Sequence, residues 1–584
     1  MRNKNAKVLV LGSCTTRDYA LIRGLGLAGI NVVASVEANQ NSPFIKSRFV
    51  KSTIMLPDKT DADKWVKALA LHLKETEYDL VIPPDDYTCH AIHNNRWLLD
   101  IATISLPDAA SWDNVYHKER TFDLAEEVGI PVPKGFVLKK DQEINGNFDQ
   151  KLDYPVVVKP LSSKVETAEG MVWLKHQYAY NQSELIAAAS NLLKFTDVSV
   201  QEYCPGVGMG IGVLAHKGET LYCFQWLRVH EPKKGGASSY RVSVSLDDKI
   251  LLASKALTKK LNWTGVAMIE YRYDADTQRY WLMEVNGRFW GSLPLAIASK
   301  ANFPYMLYQL YVDNMRSVNI QTYKSGIFCR NIEKDLPWFI GNIKSSDDKY
   351  SHHIPLTAVA SEIKQVLLLR ERFDELNLAD PVPGLIVVKR LFARLLIKVY
   401  RKIKLKIMVF LLCNPVFGRV LNVRLWFYRK LISKRSVMFV CFGNICRSPF
   451  AYYNWIDKTS GKHNAVSAGY GGRPKRPSPS EAIEAAREYG VDLKSNQSQL
   501  LNEQSINNSL LIFCMDKKNI HHILETWPNT FHKCFLLGNL GGTDNEIPDP
   551  YRKDVKEFSL VYKKIDGLID GLIHRLNVKH KSKS

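Results

Sequence analysis

Residues 437–449 read VMFVCFGNICRSP, which sets five residues between Cys441 and Arg447, with Ser448 directly after it. These residue types suit attack by sulfur on a phosphate ester. Such attack needs a thiolate near neutrality, whereas a free cysteine titrates at about 8.5, so the site has to stabilise the anion. A loop between a strand and a helix does this, because its backbone N–H groups point inward and the helix N-terminus adds partial positive charge. Gly443 is expected to supply backbone torsions closed to other residues. Asn444 is expected to fix the loop through its side chain. Arg447 offers a planar fork for two phosphate oxygens. Ser448 can donate a hydrogen bond to the thiolate and help it leave, and Cys446 completes the loop. The same Cys–Arg spacing recurs at Cys413 and Arg419 (CNPVFGR). That copy lacks the glycine, the following hydroxyl and the strand in front, and a motif carries meaning only in its context.

A second constellation lies upstream. Lys159 ends a buried run, PVVVK, from which it can reach nucleotide phosphates. Glu270, Glu284 and Asn286 close two strand-like segments, VAMIEY and YWLMEVN. Residues two apart on a strand share a face, so Glu284 and Asn286 point the same way. Together with Glu270 they offer hard oxygen ligands suited to Mg²⁺ held between triphosphate oxygens.

The elements that would position these residues follow from the hydrophobic pattern. KVLVL at 7–11, the segment 31–35 and LVIP at 80–83 read as strands, with helix-like residues 19–28 between the first two. Strands alternating with helices predict a parallel α/β sheet. Residues 117–330 instead pair strands, at 155–160, 198–203, 266–271 and 280–286. Residues 331–383 give weak signals, and DPVPG at 380–384 is a turn. VMFV at 437–440 opens a second α/β unit that runs to about residue 577. The GSC turn after the first strand is too weak to indicate a dinucleotide site.

The string VCFGNICRSP resembles the signature of the low-molecular-weight protein tyrosine phosphatases, and the likeness extends over residues 436–578 through SAG, GVDL, FCMD and DPY. It implies that Asp549 of DPY is the general acid that protonates the leaving phenol oxygen and then the base for the attacking water. It also makes Tyr551 a wall for the substrate ring. The chain departs from the pattern at Asn496, where a His is common, and at Gln499 and Arg552; these positions bear on the pocket rim, where Arg552 would favour acidic flanking residues. A relative of this fold reduces arsenate through three cysteines. Cys514 could stand for the second, but His521 occupies the place of the third.

Residues 1–330 resemble the ATP-grasp ligases, which join a carboxylate to an amine or similar nucleophile through an acyl phosphate. The resemblance makes Lys118 the partner of Lys159 on the ATP phosphates. It makes Gln201, Glu202 and Tyr203 the hinge strand that reads adenine, and Arg288 the residue that steadies the acyl phosphate. The family's glycine-rich cover over the phosphates is replaced by PLSSKVETAEG, in which Ser162 and Ser163 would substitute, and HEPKKGGASS at 230–239 suggests a second loop near the acceptor.

The expected fold is therefore α/β and multidomain. It comprises an α/β pre-domain (1–115), an α+β ATP-grasp domain (116–330), an accessory segment with a basic helical connector (331–435), a doubly wound phosphatase domain (436–578) and a disordered tail (579–584). The expected function is bifunctional, a phosphatase needing no cofactor joined to a ligase using ATP and Mg²⁺. The alternatives are a nucleotide-binding scaffold without turnover and an arsenate reductase. Bacterial members of the phosphatase family suggest a phosphotyrosine protein, such as a tyrosine kinase of polysaccharide export, as partner.

The net charge of +20 is concentrated, because residues 384–435 hold fourteen Lys/Arg and no Asp or Glu. The remaining globular parts are near neutral, which argues against specific nucleic-acid binding. LFARLLIKVYRKIKLKIMVFLL mixes apolar residues with spaced cations, the pattern of a helix lying on an acidic membrane surface. Ten scattered cysteines form neither a disulfide framework nor a metal-ligand spacing. Without a signal-peptide pattern, the expected location is the cytoplasm, peripheral at the inner face of the membrane.

Overall fold

The computed structural model describes residues 6–578 except 39, 142–143, 145–151, 162–163, 168–169, 233–237, 318–322, 344–353, 433 and 542–544. The loop serines 162 and 163, most of the 230–239 loop and the tail 579–584 lie outside the described residues. The chain divides into two compact units, residues 1–391 and 392–584.

The first unit opens with a four-stranded parallel sheet in which Lys7–Val10 lies between Asn31–Glu37 and Leu80–Ile82, with Val50–Leu56 at the edge. Its first helix, Thr16–Leu27, starts at a capping box in which Thr15 and Asp18 bond each other's backbone N–H. Next come an antiparallel sheet of Gly135–Leu138, Val198–Glu202, Val156–Pro160 and Gln177–Ala179, and a seven-stranded sheet. The large sheet runs Arg279–Asn286, Gly265–Asp274, Val207–His216, Glu219–His230, Tyr240–Val244, Phe328–Arg330 and Glu371–Phe373. Its core contains Trp226 stacked on Trp290 with ring centroids 5.6 Å apart. Gly210 sits beneath, where a Cβ would lie 2.2 Å from the Trp226 ring.

The accessory segment, which gave weak signals in the sequence, completes this sheet through its last strand. It is held by a buried charge cluster. Arg330 binds Asp335, Glu362 at 2.6 Å and Glu371 at 2.7 Å. His230, fully buried beneath the Trp338 ring, faces Asp335 through Nδ1 at 2.8 Å and Glu362 through Nε2 at 2.7 Å. Two carboxylate partners require a proton on each ring nitrogen. Burial lowers the His230 pKa, but the bonds to Asp335 and Glu362 outweigh it and raise the value. A raised folded pKa stabilises fully below the unfolded value and is lost as pH rises through the folded one. Hydrogen exchange in 331–343 and 354–375 should therefore quicken as pH climbs above that folded value, after correction for the intrinsic rate. His230→Gln should flatten the dependence.

The second unit holds a parallel sheet ordered Ala465–Gly469, Ser436–Cys441, Ser509–Cys514 and Cys534–Leu536. The order reverses between the first and third strands in sequence, and ligands of open α/β sheets bind outside the strand ends at such a point. Helices Arg447–Lys458 and Val555–Leu576 pack together, with Phe450 stacked on Tyr562 at 3.9 Å.

The basic segment forms the helix Pro381–Cys413. Its first turns belong to the first unit, where Val387 packs with Tyr19 and Phe44. Its last turns belong to the second, where Met408, Val409 and Leu412 enter the core with Ile512 and Ile520. Leu425 and Ile432 pack into the cluster on the other side of the sheet. Residues 408–432, expected as connector, are thus anchored on one side in the core of the second unit. Among the described residues no helix is long and apolar enough to cross a membrane.

Candidate active sites

Cys441 ends the strand Ser436–Cys441, Arg447 begins the following helix, and the loop between them wraps the sulfur. Cys441 Sγ lies 3.0 Å from Ser448 Oγ and accepts a hydrogen bond from the Asn444 N–H at 3.2 Å. Ser448 Oγ also accepts from Asn444 Nδ2 at 3.0 Å, which leaves its hydroxyl hydrogen for the sulfur.

The loop corrects one expectation. The left-handed torsion belongs to Asn444, at φ 53°, and Gly443 is not among the positive-φ glycines. Asparagine tolerates that region because its short polar side chain bonds locally. Here the amide also reaches Ser467 Oγ at 3.0 Å and accepts from the Gln499 N–H at 2.7 Å. A Cβ at Gly443 would lie 3.3 Å from Nη2 of Arg476, a tight approach to the end of a long side chain. Asn444→Ala should lower the melting temperature, by loss of about 2–3 kcal/mol from the strained torsion and three side-chain hydrogen bonds. Asn444→Gly, which removes the torsional part, should lose less; thermal scans of both variants check this.

Arg447 is 2 % exposed. Its Nη1 donates to Asp516 at 2.7 Å and to the Ile547 carbonyl at 2.9 Å, and its Nη2 donates to Asp549 at 2.8 Å. Burial works against its charge, but Cys441, Asp549 and Asp516 more than offset this and hold it cationic. Among the described residues its buried Nε has no hydrogen-bond partner, which suits it to donate to an incoming oxyanion. The structure thus brings Cys441, Ser448, Arg447 and Asp549 into one linked set. Tyr551 lies at the surface, 47 % exposed, with the Arg552 guanidinium over its ring.

Three contributors were not assigned from the sequence. Asp516 caps the helix after the neighbouring strand and orients Arg447. Arg476 braces the loop from outside through the Gly443 and Gly471 carbonyls. Asn496, at the place of the usual His, is buried and donates to the Asn444 carbonyl and to Ser478 Oγ. The Asp at a helix start was a visible signal; the other two contacts join residues too distant in sequence to pair. Cys446 is buried, and burial pushes its thiol pKa up. Cys514 is fully buried, 3.9 Å from the sulfur of Cys534, and its pKa is also raised by burial. Cys413 and Arg419 sit at a helix end and within the next helix, not on a strand–loop–helix turn.

The other site is a cleft of about 490 Å³ in the first unit, lined by Lys118, Lys159, Glu202, Tyr203, Glu270, Glu284, Asn286 and Arg288. Glu270 and Glu284 are directly opposed on antiparallel strands. Glu284 accepts from Lys118 at 2.9 Å and from Asn286 at 2.9 Å. Burial would raise the Glu284 pKa, but Lys118 and Asn286 hold it down at about 2. Glu270 moves up through burial and the nearby Glu284 charge, against the pull of Arg228 at 2.6 Å. Two crowded carboxylates and an amide oxygen are a hard donor set that fits Mg²⁺, which takes few protein ligands and keeps phosphate oxygens and water.

Lys159 donates to Gln201 at 2.8 Å, and burial with the Lys118 charge pushes its pKa down to about 8. Glu202 accepts from the Lys134 N–H at 3.0 Å. Tyr203 packs edge-on against Tyr178. Arg288 grips Asp86 with two 2.9 Å bonds and reaches Asn286 at 2.8 Å. Sequence reasoning missed Trp226 and Arg228, which line the cleft from another strand; their two-residue spacing was the available signal.

Residues 436–582 match the family model for low molecular weight phosphotyrosine protein phosphatases, and residues 194–334 match that for the ATP-grasp in the biosynthetic pathway with Ter operon. The chain is 30 % identical to the probable low molecular weight protein-tyrosine-phosphatase EpsP of Ralstonia nicotianae, over 24 % of this chain and 96 % of that protein. It is 32 % identical to Wzb of Escherichia coli K12, over 22 % of this chain and 85 % of that protein. An L-amino acid ligase from Bacillus licheniformis superimposes with a TM-score of 0.41 at 17 % identity, over 53 % of this chain and 74 % of that one. By its 436–582 domain the chain belongs to the low-molecular-weight protein-tyrosine-phosphatase family, fused here to an ATP-grasp domain.

Proposed function

We propose that the chain hydrolyses phosphotyrosine on protein through a cysteinyl phosphate, and that its first unit ligates a carboxylate to an amine or similar nucleophile through an acyl phosphate. The observation that carries the phosphatase reading is Cys441 Sγ held by the Ser448 hydroxyl and the Asn444 N–H at the start of the loop that ends in the buried Arg447. Cys441 sulfur attacks phosphorus. The bond to the tyrosyl oxygen breaks, and that oxygen takes a proton from Asp549. Water then attacks the phosphorus and gives a proton to Asp549, the S–P bond breaks with Ser448 donating to the departing thiolate, and phosphate is released.

In the ligase cleft, Lys118 and Lys159 bind ATP phosphates, Gln201, Glu202 and Tyr203 hold the base and ribose, and Arg288 steadies the acyl phosphate. Glu270, Glu284 and Asn286 hold Mg²⁺, which neutralises phosphate charge when bound. Pools of amino acids and amino sugars that release ADP would identify the substrates. Residues 384–435 contact an acidic membrane surface, which places the chain at the inner face of the membrane. The protein partner is a phosphotyrosine protein such as a bacterial tyrosine kinase. The division proposed is an α/β pre-domain (1–115), an ATP-grasp domain (116–330), an accessory segment with the basic connector (331–435) and a phosphatase domain (436–578). The burial of Cys514 disfavours an arsenate relay.

Asp549→Ala tests the acid. Turnover should fall by about 10²–10⁴-fold on aryl phosphates with poor leaving groups and much less on those with good ones. An equal loss across a leaving-group series would remove Asp549 from the reaction.

A further inference from the structure

Helix residues 392–407 carry six exposed cations between Arg394 and Lys406, interleaved with exposed Phe392, Leu396, Tyr400 and Ile403. The exposed apolar surface does not stop with that helix. Phe410 meets Phe417 of the next helix, Pro415–Leu421, with ring centroids 6.0 Å apart. From there Val420, Val423, Trp426 and Phe427 continue outward, Trp426 at 61 % and Phe427 at 67 % exposure.

The opposite side of the same turns is fixed in the phosphatase unit. Leu425 is buried in its core, and Asn422 donates to the Asn539 carbonyl at 3.0 Å. Arg424 donates to the Phe531 carbonyl at 2.9 Å. Apolar surface of this extent needs a covering partner. Fourteen cations without one acid in residues 384–435 select an anionic one, and exposed Trp and Phe suit the headgroup boundary of a bilayer.

We propose that Phe410, Phe417, Val420, Val423, Trp426 and Phe427 form an inserting face that seats the phosphatase unit on an anionic bilayer. This rests on the membrane reading of residues 384–435 and extends it from charge attraction to insertion by a platform rigidly joined to the phosphatase.

The test is partition of the full chain onto vesicles of phosphatidylcholine with and without phosphatidylserine. Wild type should bind the phosphatidylserine vesicles. Trp426→Ala/Phe427→Ala should keep wild-type turnover of an aryl phosphate and bind at least about tenfold more weakly. Equal binding by this variant would overturn the inserting face while leaving charge attraction standing. Absence of wild-type binding would overturn both. Self-association of the wild type, lost in the variant and without vesicle binding, would assign the face to a second copy of the chain and overturn the proposal.

Discussion

Cys441→Ser should abolish hydrolysis of aryl phosphates, with kcat falling at least about 10⁴-fold. Serine keeps the hydrogen-bonding neighbours, Ser448 Oγ and the Asn444 N–H, so the loop should fold as before. What it removes is the sulfur, and a hydroxyl in the same cradle is a far weaker nucleophile. The variant should still bind phosphate, because Arg447 and the loop amides are untouched. Retained binding with lost turnover, read by isothermal titration and a steady-state assay, separates a missing nucleophile from a collapsed loop.

Glu284→Ala should reduce substrate-dependent ADP release at least about 10²-fold. The substitution removes one of two opposed carboxylates and leaves the Lys118 ammonium without its 2.9 Å partner. Glu270 loses the like charge that helps raise its pKa and keeps its bond to Arg228. The phosphatase activity of the same protein should be unchanged. A parallel loss of both activities would mean that the substitution damaged the fold rather than the cleft.

How much of this was legible in the sequence depends on how local each feature is. The strand, loop and helix around Cys441 lie within about twenty residues, and the residue types named the chemistry. The torsion at Asn444 was not legible, because a glycine next door looked the better candidate for it. The partners of Arg447 come from residues 69 to 102 positions away, Asp516 just past the end of the neighbouring strand and Ile547 and Asp549 in the loop ahead of the last helix. No sequence period reports that adjacency. The opposition of Glu270 and Glu284 was readable, since both lie near the ends of consecutive strand-like runs.

The accessory segment shows the opposite case. Its Asp335, Glu362 and Glu371 look like loop polarity, yet they close around Arg330, and the first two also close around His230. Polar residues that satisfy one another inside a fold leave no amphipathic signature. The basic connector was readable as a helix from its periodicity. That its end is core became visible only with Met408 and Leu412 packed among residues of the phosphatase sheet.

The central claim is that Cys441 takes the phosphoryl group. The direct measurement is rapid acid quench of the Asp549→Ala protein during turnover of an aryl phosphate with a good leaving group, followed by peptide mass spectrometry. The account predicts a phosphate on the peptide containing Cys441, bound through sulfur and accumulating in a burst before steady state. Phosphate on another residue, or a burst of phenol with Cys441 never modified, would contradict it.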